Sequence, residues 1–167
     1  QLLGILAAYD KVMQRKELLI ERFKAENANL KTSIVYYPIL SQELVDGLTN
    51  SKRGEGLAWQ VQELLRDILL FNLNTNKNLA SNIKSQINHL DSEGQKYAST
   101  VNKSQWNPSD ELEDLSAQVY TILRVKPGVD TLINELMEIP VAIELENLAE
   151  EYHRWYGYTL ERALFYR

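Results

Sequence analysis

FKAENANLKTSIVYYP, residues Phe23 to Pro38, sets the reading of the whole chain. On a helical period Phe23, Leu30, Ile34 and Tyr37 share one stripe, and Asn27 falls inside it. A polar side chain therefore stands where a helix presents its core face. Lys24 and Lys31 lie three and four residues from Asn27, so an amide and two ammonium groups share one side of a helix. Asn27 has two readings, a buried amide that fixes helix register, as in many bundles, or a ligand-binding group. The lysines by default lie along the surface with their heads in water. Pro38 is expected to end or kink the helix.

Working outward, the stripe begins at Leu2 and passes through Leu6, Tyr9, Met13 and Leu19 or Ile20 before reaching Phe23, on the order of 50 Å of helix to Tyr37. Such a rod is too long to pack on one small core. No Ser, Thr, Asp or Asn precedes Leu2, so the helix reads as cut rather than begun. Beyond Pro38 a shorter helix is expected over Ile39 to Leu48, then a polar, glycine-containing loop over Thr49 to Gly56. Leu57, Val61, Leu64, Leu65, Ile68 and Asn72 mark the next helical face. Asn72 ends that stripe, either as a helix C-terminal residue leading into the turn Asn74 to Asn78 or as a second amide for a ligand.

Leu79, Ile83, Ile87, Leu90, Gly94, Tyr97 and Val101 follow. A helix-interior glycine costs roughly 1 kcal/mol relative to alanine, so Gly94 implies a close neighbour or a kink. Asn107-Pro108-Ser109-Asp110 is a helix start, with Asn at the N-cap and Pro in the first turn. That helix presents Leu112, Leu115, Val119, Ile122 and Val125, and Lys126-Pro127-Gly128 is expected to break it. Val129, Leu132, Ile133 and Leu136 then form a short helix stopped near Pro140. A last long helix carries Leu145, Leu148, Tyr152, Trp155 or Tyr156, Leu160 and Ala163. No useful strand alternation occurs. The fold class is all-α: an elongated antiparallel helical bundle with long first and last helices, as one domain over 1–167 or two stacked helical modules sharing those helices.

Two segments resemble one family. Phe23, Lys24, Asn27, Ala28, Leu30, Ser33, Tyr37 and Pro38 match the signature of DAHL-type (double all-helical ligand-binding) sensor domains, while Thr32 stands where that pattern has an asparagine. About 90 residues on, Leu123, Lys126, Pro127, Val129, Asp130, Leu132, Leu136, Pro140, Leu148 and Tyr152 are similar to the C-terminal half of the same domains. The resemblance implies a periplasmic, ligand-sensing module anchored by membrane spans on both sides, with a histidine kinase or diguanylate cyclase output beyond the second span.

Composition fits a folded domain: 25% charged and 44% hydrophobic residues in a chain of 167 argue against disorder. A net charge of -5 supplies no basic field for a phosphate backbone, which disfavours a nucleic-acid partner. With no cysteine, neither a disulfide framework nor a thiolate metal site exists. No apolar run approaches the ~18 residues of a membrane span. Tyr152 to Tyr158 and Leu164 to Arg167 nonetheless concentrate aromatics and arginines at one helix end, a mixture suited to a membrane interface. Of these, Tyr152 and Trp155 are expected to face the bundle core. An even number of antiparallel segments would bring both ends of the chain to one end of the bundle, each helix then leading toward a transmembrane span.

Catalytic signatures are missing. Glu150 and His153 have the Glu-x-x-His spacing of di-iron bundles, but His89, the other histidine, has Gln86 at the matching position. No G-x-S-x-G, H-E-x-x-H or phosphate-cradling glycine loop is present. The expectation is a non-enzymatic domain without cofactor or metal that binds a small molecule near Lys24, Asn27, Lys31, Tyr37 and Asn72. The lysines would favour an anion. The alternatives are a helical dimerisation or scaffold module, in which a homodimer forms without a small-molecule ligand, and a metal-dependent bundle enzyme.

Overall fold

A computed structural model describes residues 2–50, 54–99 and 108–165, with side chains of the last helix described as far as Arg162. Five helices follow in order: α1 (Leu2–Thr49), α2 (Glu55–Leu73), α3 (Lys77–Ala98), α4 (Pro108–Met137) and α5 (Val141–Phe165). No strand occurs among the described residues, and the fold is an all-α bundle. The N-cap expected at Asn107, the middle of the loop at Ser51 to Arg53, Val101 and the aromatic side chains beyond Arg162 lie outside the described residues.

The chain forms two units, one of residues 1–24 with 130–167, the other Ala25–Val129. Both α1 and α4 contribute to each. The Ala25–Val129 unit holds the apolar core: Leu44 and Leu48 from α1, Val61, Leu64, Ile68 and Phe71 from α2, Ile83, Ile87 and Leu90 from α3, and Leu115, Val119 and Ile122 from α4 are all essentially buried. Of these, all but Leu44, Leu48 and Phe71 lie on the stripes that the 3.6-residue period selects in the sequence. Within the unit α2 and α3 pack together, joined by a short turn that Asn76 starts by accepting a hydrogen bond from the Asn78 amide at 2.8 Å.

Neither interior proline ends its helix. Helix α1 continues through Pro38 to Thr49, and α4 continues through Pro127 and Gly128 to Met137. An interior proline costs about 3 kcal/mol, whereas fully burying a large apolar side chain contributes about 1.5–3 kcal/mol. Tyr37, Leu44 and Leu48 around Pro38, and Val125, Val129 and Leu132 around Pro127, are all buried. Packing on both sides outweighs the local penalty.

Two glycines admit close neighbours. A Cβ at Gly94 would run into the Leu112 δ-methyl, so α3 and α4 meet there as the sequence implied. A Cβ at Gly54 would strike the backbone carbonyl of Leu48, which lets α2 start directly against the last turn of α1.

The other unit is thinly packed. Among its described side chains only Leu19, Leu132 and Glu151 are buried. Gly4, Ile5 and Ala8 of α1 share a cleft with Glu144 to Arg154 of α5, and every described side chain from Tyr152 to Arg162 is exposed. Tyr152 and Trp155, expected in the core, are 50% and 49% exposed, because Glu151, 8% exposed, takes the inward position on that turn of α5. Their rings cluster instead with Tyr156, at 6.2 Å and 6.3 Å from Tyr152.

Candidate functional site

A line of polar residues runs through the apolar core of the Ala25–Val129 unit. On α1 the buried positions Leu30, Ser33, Tyr37, Ser41, Leu44 and Leu48 recur every three or four residues, so the helix itself aligns Ser33, Tyr37 and Ser41 on the core face. Across from them α2 buries Asp67, 5% exposed. An ionised carboxylate at such a place needs partners. Arg66 reaches over from the surface to donate through Nε at 3.2 Å and Nη2 at 3.0 Å to Asp67 Oδ1, and Gln86 of α3 donates through Nε2 to Oδ2 at 2.8 Å. The bonds from Arg66 to Asp67, first, and then the charges of Glu63 and Asp67 raise the pKa of Arg66, so the cation is secure.

Tyr37 is fully buried. Burial raises its phenol well above the usual tyrosine range, the Ser41 hydroxyl opposes that rise, and the charge of Asp67 adds to it. Ser41 spends its proton on the Tyr37 carbonyl at 2.8 Å, however, and the phenol oxygen is left without a hydrogen-bond partner among the described residues. A buried polar group left in that condition costs about 1–3 kcal/mol.

Gln86 links this line to a cleft. A hollow of about 120 Å³ opens between α2 and α3, lined by Trp59, Gln60, Glu63, Gln86, His89 and Leu90. While the Gln86 amide nitrogen is held by Asp67, its Oε1 and that of Gln60 are buried with no partner among the described residues. Glu63 accepts both Nη1 and Nη2 of Arg66, at 2.7 Å and 3.1 Å, and Trp59 is 62% exposed. Carboxylate and amide thus link the buried face of α2 to the cleft at the surface.

The residues singled out from sequence are dispersed. Tyr37 belongs to the buried line. Asn27 and Asn72 are half-buried and Lys31 is exposed, and among the described residues none of these three hydrogen-bonds to Tyr37. Asn72 sits in the last turn of α2, whose C-cap is Asn74. Lys24, in the other unit, is 65% exposed and pairs with Glu21 at 2.7 Å. Sequence reasoning passed over Gln60, Asp67 and Gln86. The signal was present: Leu57, Gln60, Leu64, Asp67 and Phe71 alternate spacings of three and four, which places Gln60 and Asp67 in the packing stripe of α2.

His89 and His153 are both exposed, and among the described residues no group of three or more His, Asp or Glu could hold a metal ion. Comparison with curated proteins and with solved structures finds no match. The family model described as the DAHL domain matches residues 1–167, so the chain belongs to the DAHL domain family, a helical sensor-type domain.

Proposed function

We propose that the chain is the extracytoplasmic, periplasmic ligand-sensing domain of a transmembrane signal-transduction receptor, with a histidine kinase or diguanylate cyclase as output, and that it performs no catalysis itself. The observation that carries this reading is the partnerless Tyr37 phenol on the buried polar line beside Asp67. A group that costs stability is retained for what it does in another state. A ligand that changes how Gln86 and Asp67 share hydrogen bonds would favour one packing of α1, α2 and α3 over another, and a differential affinity worth about 1–3 kcal/mol is enough to bias an attached output. No helix among the described residues is long and apolar enough to cross a membrane; the spans belong to flanking sequence in this proposal.

A thermal-shift screen of small acids and amines tests it. Stabilisation by one chemical class, lost or altered in Tyr37→Phe or Gln86→Leu, is the expected result; no stabilisation by any class in either background would overturn the reading. One observation favours the scaffold alternative: Ile143, Leu145, Tyr152, Trp155, Tyr156 and Leu160 are all at least half exposed or nearly so on α5. A tight, ligand-independent dimer in light scattering, broken by Trp155→Glu, would favour it.

A further inference from the structure

Every described side chain of residues 152–162 in α5 is exposed, and the large apolar ones among them are not scattered. At 3.6 residues per turn, Tyr158, Trp155, Tyr152, Tyr156 and Leu160 follow one another around an arc of about 200°. The rings of Trp155 and Tyr156 already gather on Tyr152, at 6.2 Å and 6.3 Å. Thr159, also on the arc, turns its hydroxyl to the Trp155 carbonyl at 2.9 Å. The charges are sorted as well. Glu146, Glu150 and Glu161, the exposed acids of the helix, all fall on the side away from the arc. Glu151 is buried and paired with Arg154, at the edge of the arc, at 2.8 Å. The one charge within the arc is the exposed Arg162, between Tyr158 and Trp155.

From this we infer that the aromatic arc of α5 docks on an anionic lipid bilayer, with the helix lying along the headgroup layer. Tyr and Trp suit that layer because the ring enters the apolar side while the hydroxyl or indole N–H stays wet. Arg162 meets lipid phosphate, and the three exposed acids remain in water. Area points the same way. Five side chains that are each about half exposed or more offer on the order of 500 Å², short of the ~800 Å² that each partner buries in a standard protein interface. The inference goes beyond the receptor reading, in which flanking spans hold the protein to the membrane: here the domain supplies a lipid contact of its own.

The test is binding of the chain to vesicles of phosphatidylcholine, alone or mixed with phosphatidylglycerol. Co-sedimentation of the parent chain gives the affinities. Location comes from two variants with a single tryptophan, one keeping Trp155 (Trp59→Phe with Trp106→Phe) and one keeping Trp59 (Trp106→Phe with Trp155→Phe), and from lipids with brominated acyl chains as quenchers. Trp155 emission should move to shorter wavelength and be quenched saturably, while Trp59 does not respond. Arg162→Gln should lower affinity for the mixed vesicles about fivefold, the worth of one cation at an anionic surface, and leave the weaker binding to phosphatidylcholine alone unchanged. Tyr156→Ser should lower affinity for both about tenfold. Absence of co-sedimentation, equal quenching of Trp59 and Trp155, or affinities indifferent to Tyr156→Ser would each overturn the inference. So would a dimer that Trp155→Glu breaks and vesicles leave intact, since the arc would then belong to a second copy of the chain. The sensing reading survives any of these results, because its ligand screen does not involve α5.

Discussion

Removing the Tyr37 hydroxyl should stabilise the protein. In Tyr37→Phe the ring that fills the core is kept, and only an oxygen that is fully buried and without a partner among the described residues is lost. The relief is the desolvation penalty of that oxygen, about 1–3 kcal/mol, less the dispersion contacts it makes, so a net gain of about 1 kcal/mol is expected. In urea the midpoint should rise with unchanged slope, and the melting temperature should rise by about 2–4 °C for a domain of this size. The alkaline limb gives a second readout. Burial raises the Tyr37 pKa in the folded state, so the native protein holds the phenolic proton after the unfolded chain has released it. The corresponding stability is fully present below the usual tyrosine value of about 10 and is lost as pH rises above it, at up to about 1.4 kcal/mol per pH unit. Tyr37→Phe should lack that part of the alkaline loss. A variant destabilised by 1 kcal/mol or more at neutral pH would refute the reasoning, because the hydroxyl would then have a good hydrogen bond.

Asp67→Ala should cost about 2–3 kcal/mol in urea denaturation, since it strips Gln86 Nε2 of its acceptor inside the core and hydrogen bonds to charged groups carry that weight; a loss below 0.5 kcal/mol, on the scale of an exposed surface pair, would contradict the buried geometry. Gly54→Ala should destabilise by about 1–3 kcal/mol, because the new methyl meets backbone at Leu48, which cannot rotate away. Gly94→Ala meets only the flexible end of Leu112 and recovers about 1 kcal/mol of helix propensity, so it should be the milder of the two; the reverse order in denaturation midpoints would count against both placements. In native-state hydrogen exchange, amides from Tyr152 to Arg162 should exchange well before those of α2 and α3, as their side chains are all exposed; protection that falls on dilution would instead reveal a self-associated α5.

Helical periodicity located the core well. Leu57, Val61, Leu64 and Ile68, then Ile83, Ile87 and Leu90, then Leu112, Leu115, Val119 and Ile122 are each placed on a stripe by sequence and are each buried. Gly94 was legible for the same reason, since a costly residue in the middle of a stripe demands a neighbour. Reading a helix end at Pro38 or a break at Pro127 failed because the rule applied is local: it weighs one missing amide and one steric clash, but not the buried side chains on either side. Tyr152 and Trp155 failed in the opposite direction, as aromatic spacing cannot show that Glu151, paired with Arg154, takes the inward position there. At the site, Tyr37 was read from its stripe, whereas Asp67, whose position in the α2 stripe was equally legible, was passed over for its charge. A carboxylate on a helix is normally solvated, and only the approach of Arg66 and Gln86 makes its burial tolerable.

Pro38 has one further effect on α1. Having no N–H, it leaves the carbonyl one turn earlier, at Ile34, without its usual rung, and it does so next to Tyr37 and three residues before Ser41. The ladder is therefore one bond weaker beside the polar line than elsewhere along 48 residues of helix. A rod bends most cheaply at its most compliant point. Small rearrangements around Tyr37 would thus be converted into a change of curvature in α1 rather than absorbed by the surrounding side chains.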